Sequence, residues 1–235
     1  MVFFYLLFAG FWEYLYKYFK YNSERQNNFQ YYSQYKKISR NLISLIHSIS
    51  VVLLNISDTL PQFFICSTRY ISLSYFLYDL IHTLINVKNF KNPMNLGFIF
   101  HHIICIGALQ YYDIEPYQTH FVNIFLYSEM SNILMYIVYH FLKVLENKNH
   151  PIIITLQFIQ TIIYIYIRGF LLFKFGFYLT TDPNVSNYVH SLWIVYVIGL
   201  IWGYKLVLQS INNVKYIRKN IRSVCRRSIF VKKEN

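Results

Sequence analysis

Two adjacent histidines, His101 and His102, lie inside an otherwise apolar run from Asn95 to Leu109. An imidazole near neutrality serves as a general base, a transient acyl carrier or a metal ligand. An ionisable side chain at membrane depth is costly unless it lines a polar cavity or finds a partner. Acids and further imidazoles fall at comparable depth in neighbouring apolar runs: His47, Asp79, His82 and Glu129. Asp79 and His82 are spaced i,i+3, as are Glu129 and Asn132, so each pair shares a helix face. Adjacent helical residues point about 100° apart, so His101 and His102 cannot face one point. One is expected to enter a cavity while the other bonds a neighbouring helix, with Asp79 or Glu129 as the orienting acid. The catalytic candidates are therefore His101, His102, Asp79 and Glu129, and the cavity-lining candidates are His47, His82 and Asn132. Taken singly, His47 and the pair Gln157 and Gln160 read as hydrogen-bonding glue between helices.

The elements that must position these groups are membrane helices. Of 235 residues, 55% are hydrophobic and only 14% charged, against roughly 25% charged in soluble domains. Long apolar runs separated by short polar breaks exclude a separate soluble domain and lack the alternation of a transmembrane β-barrel. The expected fold is all-α and polytopic, with about seven transmembrane helices near 2–19, 41–60, 68–87, 95–112, 118–141, 152–178 and 188–210. Glu13 and Lys17 interrupt the first, but their i,i+4 spacing lets them pair; a cleaved signal peptide would need a basic start and a small-residue cleavage site. The sixth run exceeds what a bilayer needs and carries Arg168 and Lys174, which predicts a tilted or broken helix. Arg168 and Lys205 each either pair with an acid or snorkel to an interface.

Loop charge sets the orientation. Segment 20–40, loops 88–94 and 142–151 and the tail after 211 are basic, whereas the alternate loops hold Asp58, Asp113, Glu115 and Asp182. Positive residues favour the cytoplasm, so the N-terminus is expected in the lumen and the C-terminus in the cytoplasm. Both N-x-S/T sequons, at Asn55 and Asn184, fall in expected lumenal loops. The net charge of +12 follows from this sidedness and from the tail. There Ile211, Val214, Ile217, Ile221 and Val224 recur between basic residues, as in an amphipathic helix lying on an anionic leaflet. Membrane lipids are thus the expected partners, and nucleic acid is not. The final Lys232-Lys233-Glu234-Asn235 matches a dilysine retrieval address, which a coat would read. Cys66, Cys105 and Cys225 form no CxxC and imply no disulfide framework.

Taken in order, His47 in Leu-Ile-His-Ser, Tyr75-Phe-Leu-Tyr-Asp79-Leu, His101-His102-Ile and Ser128-Glu129-Met-Ser131 resemble the motifs of the TLC-domain family. The resemblance covers about residues 37–211. It implies a six-helix membrane domain around a lipid-accessible cavity, preceded by an N-terminal transmembrane helix and cytoplasmic loop (1–36) and followed by a basic cytoplasmic tail (212–235). It further implies the endoplasmic reticulum and a role in lipid homeostasis. In the ceramide-synthase branch an acyl group passes from acyl-CoA to an amine, and His101 and His102 match its histidine pair. Where that branch has His-Asp and a further Asp, this chain has Ser128, Glu129 and Asn132, and Asn92-Pro-Met-Asn-Leu-Gly lacks the acid expected before the histidines. The chain is in this respect more similar to the non-synthase members. If it is an enzyme, an acyl-CoA-dependent acyltransferase is expected, with acyl-CoA as co-substrate and neither cofactor nor metal; the alternative is non-catalytic lipid binding or cargo trafficking.

Other seven-span classes fit less well. A G-protein-coupled receptor would show Asp-Arg-Tyr after the third span and Asn-Pro-x-x-Tyr in the seventh. Lys205 could hold retinal, but no acidic partner pattern supports it. A di-iron hydroxylase or desaturase would need HxxxH and HxxHH boxes, which the sequence does not contain.

Overall fold

The computed structural model describes residues 2–26, 32–55, 62–86, 93–111, 118–144, 149–181 and 190–231. All regular structure among them is helical: α1 (Val2–Gln26), α2 (Tyr32–Asn55), α3 (Gln62–Asn86), α4 (Pro93–Ala108), α5 (Gln118–Val144), α6 (Pro151–Tyr164), α7 (Leu172–Thr181) and α8 (Leu192–Val231). A short 3₁₀ turn, Leu109–Tyr111, ends α4, and a π-helical segment, Ile165–Leu171, joins α6 to α7 without a break. Four stretches are long and apolar enough to cross a membrane: Lys36–Asn55, His120–Lys143, Pro151–Thr181 and Leu192–Lys219. Asn95–Ala108 is apolar but shorter.

Local sequence explains several boundaries. Pro151 occupies the first turn of α6, where its missing N–H costs nothing. His150 caps that turn, its Nδ1 accepting from the Ile152 N–H at 3.3 Å. The long sixth run is neither split nor broken. It accommodates an extra residue in the π segment, and this turn carries Arg168 into the protein. Such π turns often mark functional positions.

The helices pack in alternating directions. On α2 and α3, Arg40 meets Asp79 and Thr83, Tyr75 meets Ser44, and His47 meets Ser72. On α2 and α5, Asn41 meets the Tyr136 carbonyl and Ser48 meets Glu129. These antiparallel pairings bring the N-terminal end of α2 and the C-terminal ends of α3 and α5 to one end of the bundle.

The first helix is part of the core. Trp12, 2% exposed, lies edge-on to His47 and Tyr75 and donates from Nε1 to Ser74 Oγ at 3.2 Å. Tyr16 packs against His82, with centroids 5.1 Å apart. The i,i+4 pair expected on α1 forms, with Lys17 Nζ 3.4 Å from Glu13 Oε1, but at an exposed position where such a pair contributes little.

On the other side, α6 and α8 are held by a polar seam. Thr161 and Ser210 hydroxyls lie 2.9 Å apart, and Asn213 donates to Gln157 at 2.6 Å. Gln157 therefore acts as the glue expected of it. Above the seam, Gly199 and Gly203 leave a notch for Tyr164: a Cβ at Gly203 would stand 3.6 Å from its ring. Small residues four apart allow this close helix approach.

One expectation needs correction. Asn55 is not in a loop; it is the last residue of α2, buried, with Nδ2 donating to the Val51 carbonyl at 2.7 Å. The helix expected in the tail is continuous with the last span. The 40 residues of α8 continue to Val231, about 60 Å at 1.5 Å per residue, because nothing in 205–215 interrupts the backbone ladder. Asn184 and the dilysine Lys232 and Lys233 lie outside the described residues.

Candidate functional site

A cavity of about 760 Å³ opens among α2, α3, α4, α5 and α8. Its position follows from one face of α2, where Lys37, Arg40, Asn41 and Ser44 recur at helical spacing and all line it. His101, His102, Asp79, Glu129 and Asn132, drawn from three different helices, line it as well. Tyr75, Tyr136 and Tyr139 add hydroxyls, and Phe76, Phe98, Met135, Trp202 and Leu206 add apolar surface.

The histidine pair divides as helical geometry requires. His102 is buried, its Nε2 2.9 Å from Asp79 Oδ2 and its Nδ1 2.6 Å from the Phe98 carbonyl. A carbonyl oxygen only accepts, so Nδ1 carries the proton in that bond, and Nε2 is engaged by the carboxyl group. Neither nitrogen is open to a ligand. The other oxygen of Asp79 accepts from Arg40 Nη2 at 2.6 Å, and the same nitrogen donates to Thr83 Oγ1 at 3.0 Å. Arg40, Asp79 and His102 thus form one chain across α2, α3 and α4.

His101 is differently placed. Among the described residues its one polar contact is with the Cys105 sulfur, 3.8 Å from each ring nitrogen, and a thiol is a weak partner. Its ring lies edge-on to Trp202 and Phe76 at 6.1 Å and 6.3 Å. Aromatic rings orient it without consuming its nitrogens.

Glu129 is the second acid. Ser48 Oγ donates to its Oε2, Asn132 Nδ2 donates to the same oxygen at 3.4 Å, and His47 Nδ1 lies 3.8 Å from it. The other oxygen, Oε1, takes none of these bonds. Asn132 also accepts at Oδ1 from Arg168 Nη2 at 3.1 Å. Arg168 further donates to Ser131 Oγ at 2.9 Å and to the Ser128 carbonyl at 3.1 Å, with its guanidinium over the Tyr164 ring. It is 5% exposed, so it does not snorkel, and among the described residues it meets no acid directly. The amide of Asn132 stands between a buried cation and a buried carboxylate.

Two expected lining residues lie elsewhere. His47 is behind the wall, stacked on Tyr75 with centroids 3.9 Å apart and bonded from Nε2 to Ser72 Oγ at 3.3 Å. Its depth was legible, but the α2 face that meets the cavity runs through Ser44, not His47. His82 shares a face with Asp79 only approximately. It turns toward α1, against Tyr16 and Tyr78, with Asn86 Nδ2 3.2 Å from its Nδ1. Asn132 lines the cavity as expected.

Arg40 and Trp202 were not anticipated as site residues. Arg40 counts in the sequence as one more cytoplasmic-side charge, although its spacing from Lys37, Asn41 and Ser44 makes a polar stripe entering an apolar helix. Lys205 lines the cavity beside Trp202. Among the described residues no cluster of His, Cys, Asp and Glu is arranged to hold a metal ion.

No family model, curated protein or solved structure matches the chain. The cavity offers one imidazole with weakly engaged nitrogens, one carboxylate oxygen outside the Glu129 bonding network, and an aromatic wall beside both. A cavity of this size falls within the usual range of small-ligand sites, roughly 300–1,000 Å³.

Proposed function

We propose that this protein is a TLC-type, seven-span membrane protein of the endoplasmic reticulum that binds an acyl lipid in this cavity and transfers an acyl group from acyl-CoA to an amine. The observation that carries the reading is the division of labour between adjacent histidines. His102 is held by Asp79 and Phe98, while His101 keeps its nitrogens for a ligand. In the proposed reaction the amine nitrogen gives a proton to His101 and attacks the thioester carbonyl carbon. A C–N bond forms, the C–S bond breaks, and the departing sulfur takes the proton back from the imidazolium. Glu129 Oε1 accepts the remaining N–H and orients the amine. A base positioned in this way contributes about 10²–10⁴-fold.

The expected orientation fits the same reading. With the C-terminus in the cytoplasm, the bundle end that carries Lys37, Asn86, Asn95 and Lys205 faces the side from which a CoA thioester arrives. The seven spans comprise the four stretches of sufficient length and apolarity together with α1, α3 and the short α4.

The test is an assay with purified protein, acyl-CoA and a panel of amines, comparing wild type with His101→Ala and His102→Ala. Formation of an acyl amide that disappears in His101→Ala supports the transferase. If no acyl-CoA is consumed while lipid co-purifies with wild type and both variants, a non-catalytic lipid-binding or cargo-trafficking protein is the better account. Asn132 favours that second reading, because its amide is tied to Arg168 where a synthase resemblance expects an acid.

A further inference from the structure

The wall made by α4 and α8 carries Asn95, His101, His102 and Lys205, and among them the apolar Phe98, Trp202 and Leu206. Phe98 and Trp202 pack together with centroids 5.0 Å apart, one from each helix, and Trp202 comes within 6.1 Å of the His101 ring. A ligand group held at His101 therefore has one extended apolar surface beside it, and that surface joins α4 to α8. Beyond it the outer faces are apolar and exposed, as at Phe100 and Ile103. A polar ligand would leave these rings uncovered and would lose its own hydration against them. A hydrocarbon chain would remove both surfaces from water.

We infer that the Phe98–Trp202 pair receives the hydrocarbon chain of the cavity's ligand and sets the size of chain accepted. The subsite rests on the acyl-lipid reading above, but it concerns which chain binds and not whether transfer occurs. Trp202 is the gauge because its ring adjoins both the Phe98 ring and the His101 ring: chain length is counted from the reacting group outward along its face.

The experiment uses the full chain in nanodiscs with an equimolar mixture of dodecanoyl, hexadecanoyl and docosanoyl diazirine fatty acids, photolysed and mapped by peptide mass spectrometry. Wild type should crosslink in the peptides containing Phe98 and Trp202. Trp202→Ala should raise the docosanoyl-to-dodecanoyl ratio there by about tenfold, at the low end of what one reshaped apolar contact discriminates. Trp202→Phe should stay near wild type, and Phe100→Ala, on the exposed face of α4, should leave the ratio unchanged. If Trp202→Ala does not fold, Trp202→Leu must shift the ratio in the same direction. An unchanged ratio in a folded Trp202 variant, or crosslinks confined to outer faces, overturns the inference. The acyl-transfer assay on the same samples separates the two claims. Chain-selective labelling without transfer removes the reaction and leaves the subsite, whereas transfer without labelling at this pair does the reverse.

Discussion

His102 Nε2 lies 2.9 Å from Asp79 Oδ2, and this bond joins α4 to α3 at the wall of the cavity. It commits one of two neighbouring imidazoles to structure, while the other has only the Cys105 sulfur as a polar neighbour among the described residues. The two substitutions should separate accordingly. His101→Ala should lower acyl transfer by about 10²–10⁴-fold while shifting the unfolding midpoint little. His102→Ala should lower both, because it leaves the Phe98 carbonyl and one Asp79 oxygen without their partner. Transfer rates and thermal unfolding of the same preparations check the split; equal stability losses would count against it.

Asp79 also holds Arg40 at 2.6 Å, so one carboxylate serves two partners. Asp79→Ala should cost about 2–3 kcal/mol, below the roughly 3–5 kcal/mol of a fully buried charge pair, because the Arg40 side chain is 33% exposed. Asp79→Asn should cost less, because the amide still offers one acceptor. Chemical unfolding in detergent reads the difference, and the double variant Arg40→Ala/Asp79→Ala should lose less than the sum of the single losses.

Arg168 satisfies Ser131, the Ser128 carbonyl and Asn132 from within the π segment. Arg168→Ala should destabilise by about 2 kcal/mol or more, since buried acceptors left unpaired cost about 1–3 kcal/mol each. Arg168→Lys should recover only part, because a point ammonium cannot reproduce the planar fork. Asn132→Asp places a carboxylate against the guanidinium, but it removes the donor to Glu129 and sets two carboxylates side by side, so its gain should be partly offset. The unfolding midpoints of the three variants rank these effects.

Trp12 ties α1 to the core behind His47 and Tyr75. Trp12→Ala should cost about 3–5 kcal/mol, and Trp12→Phe should cost less by keeping ring contacts while losing the bond to Ser74. Limited proteolysis of α1 provides a second measure: it should accelerate in Trp12→Ala. Equal cleavage rates would show that α1 is not held by this contact.

At the other side, Gly203→Ala should be tolerated, since its Cβ would meet Tyr164 at ordinary contact distance, 3.6 Å. Gly203→Leu should separate α8 from α6 and lower stability by about 1–3 kcal/mol, the usual cost of overpacking. A crosslink between cysteines introduced on these two helices should form in the first variant and fail in the second.

Much of this arrangement was legible in one dimension. Hydrophobic run length and the cost of unpaired backbone in lipid dictate helices close to those observed. The placement of His101, His102, Asp79, Glu129 and Asn132 at one depth follows from span position alone. The helical angle between neighbours already requires that His101 and His102 serve different partners. What sequence could not decide is which way each face turns once the helices pack. His47 and His82 lie at the expected depth, yet one turns behind Tyr75 and the other toward Tyr16, where α1 packs against both helices. Arg40 looks like a loop charge until α3 brings Asp79 to it, and Trp202 looks lipid-facing until α4 brings Phe98 and His101 beside it. Composition and periodicity determine helices and depth, which are properties of a segment. Azimuth, and with it the roles of His101 and His102, belongs to contacts between segments, and only the tertiary structure decides it.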